Sequence, residues 1–254
     1  MAKAIAIDSP VGAGGTTLIK RIKSSRDIEG VATSLLYRGF SEAMWRENVS
    51  PLVSGADFVA DWLADNSPRF ALLGDTVLLD GDDITGVCRT PQNDKGSSKL
   101  AGQAAARAIV NQRTVEAVDQ HPADLVATEG RNECLLHLGA KTLAFGLYLT
   151  AAPETRAIRR AHQRGTSDVS AVLTEVVRRD KDDMTRELEP LGPVFDIARV
   201  VTGADQVPSP EEMNETQLII PTDHLAEREV LHIAEQAILN YREYLRLGQL
   251  TPRR

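Results

Sequence analysis

The stretch from Ala4 to Ile22 constrains this chain more than any other. Residues 4–8, Ala-Ile-Ala-Ile-Asp, form a short apolar run closed by a carboxylate. A turn-rich segment from Ser9 to Thr17 follows, and then residues 18–22, Leu-Ile-Lys-Arg-Ile, take up helical spacing. The order reads strand, glycine loop, helix. Such a turn brings backbone N–H groups and the positive end of a helix dipole to one point, which suits an anion. The P-loop signature Gly-x-x-x-x-Gly-Lys-[Ser/Thr] adds a lysine that neutralises the β and γ phosphates. Here the corresponding stretch begins with Ser9 and puts Gly15 where the lysine belongs, while Gly12, Gly14, Thr16 and Thr17 remain. Taken alone, the loop leaves two readings open: a phosphate-binding nest, or a plain Gly-rich turn from strand to helix.

Two more apolar runs end or lie between helical segments. Residues 124–128 lead into Glu129-Gly130-Arg131, and residues 143–149 form an almost wholly apolar run. Short apolar strands alternating with helices argue for a parallel sheet covered on both faces. Two regions break that rhythm. Residues 76–85 pair an apolar run with Asp80-Gly81 and a second β-prone stretch, which predicts a hairpin and a small antiparallel insertion. Residues 202–217 are polar and rich in turn formers, and read as a surface loop before a late strand at residues 218–220. Residues 224–247 read as an amphipathic helix, and the tail 251–254 as frayed.

Composition narrows the function classes. A net charge of -7 is a poor basis for general nucleic-acid binding, which needs a basic surface to neutralise phosphate. It leaves a small anionic ligand possible, since local arginines and helix ends can hold one. Two cysteines, Cys88 and Cys134, make no disulfide framework, and no His/Cys grouping has zinc-ligand spacing. No apolar run approaches the roughly 20 residues of a membrane span, and the N-terminus leads straight into a strand, so no leader is expected and the cytoplasm is the expected location. Trp45, Trp62 and the histidines read as packing or surface residues, and Cys134 as a small buried hydrophobe.

The loop does not stand alone. Residues 4–18 resemble the opening I-D-G-P-x-G-A-G-K-G-T of bacterial cytidylate kinases. Residues 33–38, Thr-Ser-Leu-Leu-Tyr-Arg, are similar to their T-G-A-M-Y-R segment. Residues 78–85 with Arg89-Thr90-Pro91 resemble L-L-D-G-x-D-V-T…R-T-P. Ser98, Arg107 and Gln112-Arg113 fall where that family has S…R…Q-R, allowing a short deletion. Residues 129–132, Glu-Gly-Arg-Asn, resemble D-G-R-D. Residues 149–156 resemble the strand and loop before the family's lid helix, and residues 179–191 resemble R-D-x-x-D-x-x-R…P-L. These seven segments keep the family's order across most of the chain.

The resemblance implies an α/β fold of the P-loop nucleoside monophosphate kinase type. Its parts would be a five-stranded parallel sheet flanked by helices, a small antiparallel β insertion and a helical lid. The whole would be one domain, with a core at about 1–30, 102–155 and 187–245, a monophosphate-binding subdomain at about 31–101 and a lid at about 156–186. It implies transfer of the γ-phosphate of ATP, or another NTP, to CMP, dCMP or a related pyrimidine nucleotide, with Mg²⁺, and a monomer whose partners are small nucleotides. Thr33, Arg38, Ser98, Arg107, Glu129, Arg131, Asn132, Asp183 and Arg186 would bind the monophosphate, with Arg179 beside them. Ser9, Gly12, Ala13, Gly14, Gly15, Thr16 and Thr17 would cradle the NTP phosphates, with Arg156, Arg159 and Arg160 near them from the lid. Thr16, Thr17 and Glu129 would hold Mg²⁺, the carboxylate through water. Arg131, Arg160, Arg179, Asp183 and Arg186 would carry the catalysis.

Elementary chemistry agrees with that layout. Phosphoryl transfer needs positive charge on the equatorial oxygens, and arginine supplies it with bidentate geometry. Arg179, Asp183 and Arg186 share one helix face by spacing, where a solvated salt-bridge ladder is the alternative. Arg131 follows a strand end, where ligands of open α/β sheets sit. The chain departs from the family at three further places: Glu129 and Asn132 replace aspartates, and Ser34 replaces glycine. Loss of the lysine predicts weakened turnover, or a protein that binds a nucleotide without transferring phosphate.

Overall fold

The computed structural model describes residues 2–26, 28–185 and 191–250; Arg186, Pro190 and the tail 251–254 lie outside them. In chain order its elements are β1 (Lys3–Asp8), α1 (Gly15–Arg26), β2 (Glu29–Val31), α2 (Ser34–Arg46) and α3 (Ala56–Asn66). Next come β3 (Phe70–Leu73), β4 (Thr76–Leu79), β5 (Asp82–Asp83), α4 (Pro91–Ala101), α5 (Ala104–Asp119) and β6 (Leu125–Gly130). The chain continues through α6 (Glu133–Gly139), β7 (Leu143–Thr150), α7 (Pro153–Arg164) and α8 (Val169–Met184). It ends with β8 (Ala198–Val200), β9 (Gln217–Pro221) and α9 (Glu227–Leu250). Contacts divide the chain into two compact units, residues 29–128 with the first two residues, and residues 3–28 with 129–254.

In the second unit β7 pairs in parallel with β1 on one side and β9 on the other, and β8 pairs in parallel with β9. Ile5 and Ile7 of β1, Phe145, Leu147 and Leu149 of β7, and Leu218 and Ile220 of β9 are all buried. Such two-faced burial explains why these runs are apolar throughout rather than alternating. Helices cover the sheet through Leu18 and Ile22 of α1 and Ile233, Ala237 and Tyr241 of α9, whose ring lies 5.8 Å from that of Phe145. Gly146 sits inside β7 because a Cβ there would come within 2.7 Å of the Cys134 sulfur. Helices α7 and α8 carry their own small core of Ala157, Ala161, Val172 and Val176, against which Val11 of the glycine loop packs.

In the first unit β2 pairs in parallel with β6, and β3, β4 and β5 form a separate antiparallel sheet. The expected hairpin is there. Asp80 and Gly81 both have positive φ, 53° and 90°, the conformation of the turn that matches strand twist. Phe40 of α2 meets Phe70 of β3 edge to face at 4.8 Å, inside a core that also holds Leu36, Met44 and Leu63.

Six strands lie in parallel pairs among the described residues rather than five, and two of them, β2 and β8, are only three residues long. Residues 202–217 are also more than a surface loop. Their two short 3₁₀ turns bury Val207 and Met213, and the Pro208 carbonyl accepts a 2.6 Å hydrogen bond from Asn240 of α9. Polar composition hid two apolar anchors spaced six residues apart. No helix among the described residues is long and apolar enough to cross a membrane.

Candidate active site

The glycine loop leaves β1 at Asp8 and enters α1 at Gly15, so strand and helix fix both its ends. Gly12 and Gly14 have φ of 83° and 111°, which only glycine adopts without strain. Every second carbonyl of the loop is occupied by a side chain from elsewhere in the second unit. The guanidinium of Arg131 donates to Ser9 O, Arg156 Nη1 donates to Val11 O at 3.1 Å, and Thr222 Oγ1 donates to Ala13 O at 3.3 Å. Carbonyl oxygens would repel a phosphate, and these three are engaged by donors, which suits the loop as an anion nest.

A cavity of about 660 Å³ opens above the loop. Ser9 to Leu18 line it together with Glu129, Arg131, Arg159 and Arg160, and α9 contributes Val230 and Leu231. Arg159 is oriented by hydrogen bonds to Thr222 Oγ1 at 2.9 Å and Thr222 O at 2.6 Å. Arg160 reaches over Gly12, where an added Cβ would lie 3.3 Å from its Cδ, and its Nη2 stands 3.5 Å from Glu175. Arg131 Nε pairs with Asp183 Oδ2 at 3.1 Å, which ties α8 to the end of β6. Burial lowers the pKa of Arg179, and the neighbouring charge of Arg131 lowers it further; burial and then Arg164 do the same to Arg160. These guanidinium groups stay charged, and Asp183 and Glu175 offset part of their mutual repulsion.

Of the three oxygen donors expected for a divalent cation, Thr16 and Glu129 meet, while Thr17 lines the cavity without a contact to either. Thr16 Oγ1 donates to Glu129 Oε1 at 3.3 Å at the mouth of the loop. A hydroxyl and a carboxylate are hard ligands that suit Mg²⁺ together with water and phosphate oxygens. Glu129 is one methylene longer than aspartate and thereby reaches the loop.

Other expected residues fall as follows. The resemblance put Arg156 beside the nucleotide, but it is 2% exposed and its guanidinium is taken up by Asp180, Ala151 O and Val11 O. It braces the loop from behind and does not line the cavity. Asn132 is buried at the entry to α6, off the cavity lining. Thr33, Arg38, Ser98 and Arg107 all belong to the first unit. There Thr33 is buried before α2, Arg38 pairs with Asp94, Ser98 is exposed on α4, and Arg107 donates to Ala101 O at 2.6 Å. Arg186 lies outside the described residues. Among the described residues no lysine lines the cavity: Lys3 donates to Lys141 O at the far end of β1, and Lys20 is exposed on α1.

Three site-building residues carried no clear signal in the sequence. Asp8 accepts the backbone N–H groups of Glu133 at 2.7 Å and Cys134 at 2.9 Å, joining the loop to the start of α6. Thr222 links Arg159 to the loop, and Asp223 accepts from Ala152 N and Thr155 Oγ1 at the start of α7. Asp8 could have been suspected, because a carboxylate closing an apolar strand is costly to bury without donors.

Parallel strands, a glycine loop leading into a helix and arginines gathered over it define a P-loop protein of the nucleoside monophosphate kinase fold. A family model described as cytidylate kinase matches residues 5–209. The chain belongs to that family. A cytidylate kinase of Desulforamulus reducens is 31% identical over 200 residues, covering 76% of this chain and 86% of the relative. One of Thermus thermophilus is 31% identical over 194 residues, covering 70% and 82%.

Proposed function

We propose that this chain is a phosphotransferase that moves the γ-phosphoryl group of ATP, or another nucleoside triphosphate, to CMP, dCMP or a related pyrimidine nucleotide, with turnover weakened by Gly15. The observation that supports it most is the shared cavity. It brings the loop backbone, the Thr16–Glu129 oxygen pair and the guanidinium groups of Arg131, Arg159 and Arg160 onto one space. Loop N–H groups would bind the β and γ phosphates, and Arg159 and Arg160 would hold the triphosphate from α7. Arg131, with Arg179 nearby, would face the group in transfer, where charge spreads over three equatorial oxygens. Thr16 and Glu129 would hold Mg²⁺, which offsets phosphate charge when bound.

Gly15 favours a second reading, a protein that holds a nucleotide without turning it over. Backbone dipoles bind ground-state phosphate, but they cannot follow charge towards the leaving oxygen as an ammonium can. One experiment separates the two: a panel of nucleoside monophosphates with ATP and Mg²⁺, assayed for diphosphates, alongside calorimetry of ATP binding. Slow diphosphate formation with pyrimidine monophosphates is expected. Tight ATP binding with no diphosphate from any monophosphate would replace the first reading with the second.

A further inference from the structure

The three glycines of the loop are not glycine for the same reason. Gly12 and Gly14 have positive φ, so their backbone requires it. Gly15 does not; it opens α1 in a conformation that any L residue adopts. What excludes a side chain there is a neighbour. A Cβ built on Gly15 would stand 2.5 Å from Ser9 Oγ, 3.4 Å from Ser9 Cβ and 3.5 Å from Glu129 Oε1. The hydroxyl contact is closer than packed atoms allow, whereas the other two are tight to ordinary contacts. Ser9 is 3% exposed and its carbonyl is held by Arg131, so a Cβ at position 15 is admitted only if the hydroxyl turns about the Cα–Cβ bond to another rotamer.

Ser9 and Gly15 are the two positions where the P-loop signature has glycine and lysine. The geometry points to one coupled exchange: the Ser9 hydroxyl occupies the space in which a lysine stem at position 15 would begin. Ser9 is therefore a positioning residue. It packs the loop where the stem would pack it, and it keeps a cation from being restored at position 15 by a single change. The Ser9 hydroxyl in its present rotamer and a Cβ at position 15 cannot both be accommodated. The part of this inference that concerns nucleotide rests on the cavity being a nucleotide site; the steric part does not.

The test is a mutant cycle on the full chain: the parent, Ser9→Gly, Gly15→Lys, Ser9→Gly/Gly15→Lys and Ser9→Ala/Gly15→Lys. Thermal midpoints without ligand read the steric part. Lysine is a better helix former than glycine, so Gly15→Lys would raise the midpoint if space allowed. We expect a fall of about 3–6 °C instead, most of it recovered when Ser9 is also changed. Ser9→Ala keeps the Cβ and removes only the hydroxyl, so it should rescue nearly as well as Ser9→Gly. Calorimetry with ATP and Mg²⁺ and steady-state kinetics with CMP read the functional part. Gly15→Lys alone should weaken ATP binding on the order of tenfold, and the double variants should recover it. The double variants should also raise kcat above the parent more than they lower KM, since the ammonium acts on the transition state. Additive midpoints, with Gly15→Lys as stable as the parent, would overturn the exchange. Coupled midpoints with no ATP binding in any protein would uphold the steric exchange, overturn the positioning role of Ser9, and refute the nucleotide reading separately.

Discussion

Arg131 joins three parts of the site through one side chain. Its guanidinium donates to Ser9 O, its Nε faces Asp183, and it stands beside the cavity. Lysine has a single point of charge and cannot span those partners. Arg131→Lys should therefore weaken ATP binding about tenfold while costing only about 1 kcal/mol of stability, as one net hydrogen bond is lost. Calorimetry and urea unfolding measure the two effects, and unchanged affinity would place Arg131 outside the site. Arg131 was legible in the sequence because it follows directly from a strand end, where ligands gather. Thr222 was not, because its meaning depends on Ala13, which lies 209 residues away. A single threonine in a loop looks the same whether it braces a phosphate site or faces water.

At the scale of elements, helices α7 and α8 form one piece with the loop. The Arg156 guanidinium pairs with Asp180 on α8 and donates to Ala151 O and Val11 O, and Arg156 and Asp180 are both buried. Removing one partner of such a pair strands the other charge, which costs about 3–5 kcal/mol. Asp180→Ala should cost that much in urea unfolding. It should also weaken ATP binding, because Val11 would lose the brace that holds its carbonyl. Replacing both residues, as in Arg156→Leu/Asp180→Leu, should restore most of the stability but not the binding. A double variant as unstable as the single one would show that the pair matters through shape rather than charge. The motif at residues 179–191 was readable in sequence, yet the Arg156–Asp180 pair was not. Helical spacing shows which residues share a face, but not which face turns inward. The hairpin at Asp80-Gly81 was legible because its turn chemistry is local, and β2 and β8 were missed because three residues are too few for a period to show.

For the whole molecule, the loop's hold on the fold makes stability depend on pH through Asp8. Its carboxyl is 1% exposed, and burial, followed by the nearby Glu133 carboxylate, pushes its pKa up to about 7. The N–H groups of Glu133 and Cys134 and the charge of Arg131 oppose that rise without cancelling it. Below the unfolded value of about 3.8, folded and unfolded chains both carry the proton, and the contribution of Asp8 is fully present. Between there and about pH 7 only the folded chain keeps it, so each rise in pH favours unfolding, up to roughly 4 kcal/mol at most. Carboxylates with lowered pKa, such as the exposed Asp80 and the half-buried Asp223, act in the opposite sense, but their contribution is complete by about pH 6. Unfolding free energies measured at pH 5, 6, 7 and 8 should therefore fall towards pH 7 in the parent. Asp8→Asn cannot ionise and should flatten that fall, at a constant cost of about 1 kcal/mol for the acceptor it exchanges for a donor. Parallel curves for the two proteins would mean that the folded chain already holds Asp8 as the anion at pH 5.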